Sequence, residues 1–140
     1  MLITPAGGWG TRGGKTNPLP TPMVEHERAQ FATYGVMLLA PLLAPGVKLR
    51  RIADANGLKG ILVEHPRAQP TELFFDGDDE LVEARNSVPD PEGGAPLPQR
   101  FRFSRERMPG PVRWPRRLTL EQKGKPYFDL TLTRFEAAFA

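Results

Sequence analysis

Toward its C-terminal end the chain alternates apolar and polar residues with a period of two. Phe101 and Phe103 are interleaved with Arg100, Arg102 and Ser104, and Leu118 and Leu120 with Thr119 and Glu121. Phe128, Leu130 and Leu132 alternate in the same way with Asp129, Thr131 and Thr133. Successive side chains of a strand point to opposite faces, so each run offers one face to a core and one to water. Pro109-Gly110-Pro111 and Lys123-Gly124-Lys125 separate the runs with residues suited to turns. Residues 99–136 are therefore expected to form consecutive antiparallel strands.

The same punctuation extends upstream. Val47 to Ile52 and Leu58 to His65 flank Ala55-Asn56-Gly57, and Asn-Gly is a strong hairpin signal. Thr71 to Phe75 and Leu81 to Val88 flank the turn Asp76-Gly77-Asp78-Asp79-Glu80, and Pro89 to Pro98 reads as a loop. The opening segment, Leu2 to Lys15, reads as a strand followed by a turn at Gly13-Gly14 and an extended exit through Asn17-Pro18-Leu19-Pro20. Thr21-Pro22 then offers a helix start, with threonine as cap and proline at the first helical position. Met23, Val24, Phe31 and Tyr34 fall near one face of that helix, which Gly35 is expected to break. Val36 to Ala40 makes a second short apolar turn, apolar nearly all round and in need of a covering sheet.

Sixteen prolines and fourteen glycines in 140 residues fit many short elements joined by turns. The reading is a single domain spanning residues 1–140, of the α+β class: one antiparallel sheet with a helical segment against its apolar face. Without cysteine there is no disulfide, thiolate metal site or cysteine nucleophile. No run approaches the roughly 20 apolar residues of a membrane-spanning helix. The net charge of +3 permits contact with anionic partners without requiring it.

Several motifs reduce to simpler readings. Gly14-Lys15-Thr16 resembles the end of a phosphate-binding loop, but Trp9 stands where the first glycine belongs and Asn17-Pro18 follows where a helix should begin. His26-Glu27 lacks a second histidine four residues on, where Gln30 stands; His65 has no ligand pattern around it, so no metal or other cofactor is expected. Asp76, Asp78, Asp79 and Glu80 lack the spacing of a calcium loop. No serine sits in a nucleophile elbow, and no catalytic site is expected. Arg100 to Arg117 mixes arginines with Phe101, Phe103 and Trp114, as nucleic-acid binders do. The alternation, however, puts both phenylalanines on the face away from Arg100 and Arg102, which favours a solvated face over a nucleic-acid surface.

The order of elements resembles a known family. Gly7-Gly8-Trp9, a glycine turn, Leu19-Pro20 before a helix and Leu38-Leu39 at its end are followed by strand pairs and Phe75-Asp76 entering a turn. The chain then runs through Val112-Arg113-Trp114-Pro115-Arg116-Arg117-Leu118-Thr119-Leu120 and ends near Phe135-Glu136. This is similar to the later two-thirds of the outer-membrane lipoprotein carrier superfamily, without the signal peptide, the N-terminal helix and the first strands. The resemblance implies a bacterial, periplasmic setting and a curved antiparallel sheet, an incomplete β-barrel, with the helical segment on its concave face. It further implies a non-catalytic module whose concave cavity holds an acyl chain, a lipoprotein or another apolar ligand. The residues expected to line such a cavity are Met23, Phe31, Met37, Leu38, Phe74, Phe101, Phe103, Leu118, Leu120, Phe128, Leu130 and Leu132. The same residues would equally well fill a solid core. An alternative is an interaction domain that pairs with a protein partner, or with itself, through an exposed edge strand near Leu2–Thr4.

Overall fold

A computed structural model describes residues 1–138. The chain opens with a three-stranded antiparallel meander, β1 (Leu2–Thr4), β2 (Gly7–Arg12) and β3 (Lys15–Pro18), in the order β1-β2-β3. Helix α1 (Thr21–Met37) and a single 3-10 turn (Ala40–Leu43) follow. The remainder is a seven-stranded antiparallel meander: β4 (Lys48–Ala55), β5 (Leu58–Glu64), β6 (Thr71–Phe75), β7 (Leu81–Val88), β8 (Leu97–Phe103), β9 (Arg117–Gln122) and β10 (Lys125–Thr131). Every neighbour in this sheet is also the neighbour in sequence, and the sheet does not close into a barrel. The α+β class is what the alternation predicts, and a curved sheet that does not close is what the resemblance implies.

The turns follow from local chemistry. Asn56 and Gly57 both take positive φ (52° and 77°), as do Lys123 and Gly124 (52° and 73°). Two successive left-handed residues are what a tight two-residue hairpin requires, and asparagine and glycine reach that region at low cost. β5, β6 and β7 lie where the apolar runs placed them. Four boundaries differ. The opening segment forms three strands, because Gly13 and Gly14 close a hairpin that turns the expected extended exit into a paired strand. β4 continues three residues past Ile52, through a bulge before Ala55. β8 starts at Leu97, whose side chain is buried. Residues 99–136 are not strands throughout: 104–116 is an irregular crossing segment with one bridge, Arg107 to Pro115, and pairing ends at Thr131.

The helix departs more from expectation. Pro20 is the cap residue, no side chain caps the first turn, and the helix runs through Gly35 to Met37. Gly costs about 1 kcal/mol in a helix interior, which burial of Val36 and Met37 in the core outweighs. The stripe facing the large sheet is His26, Ala29, Gln30, Thr33, Val36 and Met37. Val24 lies roughly opposite and meets the small sheet, where a Cβ added to Gly8 would stand 2.9 Å from it. Phe31, on that same side, lies beyond the small sheet and is 83 % exposed. The apolar run Val36–Ala40 is covered as expected at Val36 and Met37, which are buried in the core, and at Leu39, which packs against it, whereas Leu38 is exposed and the following 3-10 turn leaves Leu43 90 % exposed.

The main core lies between α1 and the middle of the large sheet. Leu73, Ala84, Phe101 and Leu120 form one rung across β6 to β9, and Val36, Met37 and Tyr34 rest on it. Tyr34 meets Phe101 edge to face, with centroids 5.9 Å apart. On the opposite face of the sheet, Glu83 is buried among arginines, accepting from Arg85 Nε at 2.8 Å and Arg100 Nε at 2.5 Å. No helix of the described residues is long and apolar enough to cross a membrane.

Candidate functional site: a recess at the end of the core

Where α1 ends, the core is not covered by helix, and residues 104–116 cross that end of the sheet. Of these, Met108 is buried and Trp114 packs on the core, and arginines tie the segment to the β6–β7 turn. Arg107, nearly buried, donates from Nη2 to Leu81 O at 2.8 Å and to Glu80 Oε2 at 3.2 Å. Arg113 donates to Glu80 Oε1 at 2.7 Å, and Arg105 Nε lies 3.1 Å from Asp76 Oδ2. Asp76 organises the turn that presents these acids: its Oδ1 accepts from the Asp78 and Glu80 backbone N–H groups at 2.9 and 3.1 Å. Those bonds, the one from Glu80 above all, hold its carboxyl below the usual carboxylate range, helped by Arg105 and Arg107.

Between the crossing segment, the helix end and the β6–β7 turn lies a recess of about 300 Å³. Met37, Leu38, Leu39, Leu81, Phe103, Val112 and Trp114 supply its apolar lining, and the Glu80–Arg107–Arg113 cluster forms its polar side. Met37, Leu81 and Phe103 belong to the core, so the floor of the recess is the end of the core itself. Trp114 is braced from behind by Phe135, stacked within 10° of parallel at 6.3 Å. The volume sits at the low end of the ~300–1,000 Å³ usual for small-molecule sites. No protein-family model matches the chain, and the comparisons with curated proteins and with solved structures return no match. Geometry alone therefore speaks for the site.

The structure scatters the residues expected to line a cavity. Met37, Leu38 and Phe103 meet at the recess. Phe101, Leu118 and Leu120 are packed inside the core, and Phe128 lies partly buried against it. Met23 is half-buried on the helix, away from the recess. Phe74 is buried on the opposite face of the sheet, beneath the Arg85 guanidinium at 4.5 Å, because it follows core-facing Leu73 on β6 and successive strand residues point to opposite faces. Phe31 and Leu130 are exposed, and Leu132 is half-buried beyond the end of β10. Phe31 instead borders a wider hollow of about 780 Å³ beside β1, with Met1, Ile3 and Tyr34.

Trp114 and the Glu80–Arg107 pair were not among the expected site residues. Their signal was present as an acidic turn and an arginine-rich loop of opposite charge, but 27 residues separate Glu80 from Arg107. Chemically, the recess offers burial and shape beside a charged rim, on which Asp78, Asp79 and Glu80 stand against Arg107 and Arg113 and Glu80 pairs with both arginines; among the described residues no group of three metal-ligating side chains comes together.

Proposed function

We propose that the protein is a non-catalytic module that binds an apolar group, and that the recess beside Trp114 is where it binds. The observation that carries this reading is an opening onto the core: an apolar floor of Met37, Leu81 and Phe103, with Trp114 in the same lining. Each methylene buried there contributes about 0.8 kcal/mol, which needs no reacting group. A short acyl chain, or the end of a longer one as in a lipid or lipoprotein, has the matching chemistry.

The test uses the tryptophan itself. With Trp9→Phe removing the second indole, titration with octanoate and with octanol is expected to shift Trp114 emission saturably. Phe103→Ala and Trp114→Phe, compared by displacement of a fluorescent fatty-acid analogue, are expected to weaken binding at least fivefold. Absence of saturable binding by all three probes would overturn the reading.

One observation favours a second reading, an interaction domain. β1 is the outer strand of the small sheet, and Leu2 on it is exposed. An edge of this kind is a template for another strand. Light scattering across a concentration series decides it: a strict monomer at high concentration counts against edge pairing.

A further inference from the structure

The layer between α1 and the large sheet is divided in two. One apolar group gathers around Phe101, Leu73, Val36 and Met37, and a separate, smaller one holds Ala29, Val88 and Leu97. Between them a polar rung crosses the helix-facing side of the sheet. Asn86 stands opposite Gln99, and Gln99 opposite Gln122. Asn86 Nδ2 donates to Thr33 Oγ1 of the helix at 2.9 Å and reaches Thr71 Oγ1 at 3.4 Å. Thr33 Oγ1 itself donates to Ala29 O at 2.8 Å, so its hydroxyl is used in both directions.

The rung is not complete in itself. Gln99 is 4 % exposed and Gln30 8 %. Among the described residues, Gln99 Nε2 and Oε1, Asn86 Oδ1 and Gln30 Oε1 have no protein hydrogen-bond partner. Buried side-chain polar atoms are paired in the large majority of cases, so several orphans in one helix–sheet layer call for a common explanation. None of these groups ionises, and together they present both donors and acceptors. An ion would satisfy only one kind. The complementary guest is a small neutral molecule that donates and accepts.

We propose that this layer is an internal hydration site, in which water bridges Gln99 and Asn86, opposite each other on β8 and β7, and completes the rung. A buried water makes about three hydrogen bonds, and the free carbonyl oxygens together with the Gln99 amide supply them. The hydration site itself does not depend on the recess binding anything.

The experiment is magnetic relaxation dispersion of water oxygen-17, joined to water–amide cross-relaxation at the Gln99 side chain. The expected result is at least one water that stays longer than the molecule's tumbling time, with a cross-peak to the Gln99 amide. Gln99→Met, which keeps the bulk and removes the polar atoms, is expected to reduce the dispersion amplitude. A wild-type protein without long-lived water, or with no cross-peak at Gln99, would falsify the site. The wild-type measurement decides even if the variant does not fold.

Discussion

The Oδ1 of Asp76 receives two backbone N–H groups, and its Oδ2 faces Arg105. Because those partners favour the charged form, its pKa in the folded protein lies below the unfolded value. Its contribution to stability is therefore full above the ordinary carboxylate range, near pH ~4, and is lost as pH falls through the lowered value. Asp76→Asn is expected to lower the melting temperature at pH 7, with the gap to wild type closing as pH falls through that lowered value. A gap that stayed constant down to acid pH would mean that the carboxylate charge plays no part. Glu83 is a buried carboxylate that acts through ion pairs, holding Arg85 and Arg100 on the far face of the sheet. Removing one partner of a buried ion pair costs about 3–5 kcal/mol, but both arginines here are a third exposed. Glu83→Ala is accordingly expected to cost about 1–3 kcal/mol in urea unfolding.

Among the elements, α1 shows where periodicity reads well and where it does not. Its existence and approximate start were legible in Pro22, which suits a first helical turn, although the cap is Pro20 and not Thr21. Its buried face was not, because His26, Gln30 and Thr33 are polar, while of the residues spaced as an apolar face Val24 meets the small sheet, Phe31 is exposed and Tyr34 reaches Phe101 of the large sheet. The contrast is measurable. Phe31→Ser is expected to change stability by no more than about 0.5 kcal/mol, whereas Phe101→Ala is expected to cost about 3–5 kcal/mol. The small sheet hangs on close contacts at Gly8, where an added Cβ would meet Ile3 at 2.7 Å and Val24 at 2.9 Å. Gly8→Val should therefore raise hydrogen-exchange rates in β1 to β3 while β6 to β9 keep theirs. Uniform acceleration through both sheets would show instead that the two unfold together.

For the whole molecule, a sequential meander makes the fold unusually legible from local pattern. Each strand of the large sheet pairs with the next in sequence, so alternation and turn chemistry together predict most of the sheet. The alternation at Phe101 and Phe103 also told rightly which side of β8 is buried. The recess and the polar rung were not legible in the same way. Glu80 meets Arg107 and Arg113, and Thr33 meets Asn86, across 27 to 53 residues. The period-two pattern is a consequence of backbone geometry within one strand, and the chain carries it wherever that strand goes. Which polar residues share a rung depends on the register between strands and on the rotation of α1 above them. That rotation is decided by the packing of Val36 and Met37 on Phe101 and of Val24 on the small sheet, contacts that exist only once both sheets are in place. The sequence by itself thus determined the strands, their turns and the buried side of β8. The tertiary structure alone decided the helix face, the divided core and the recess beside Trp114.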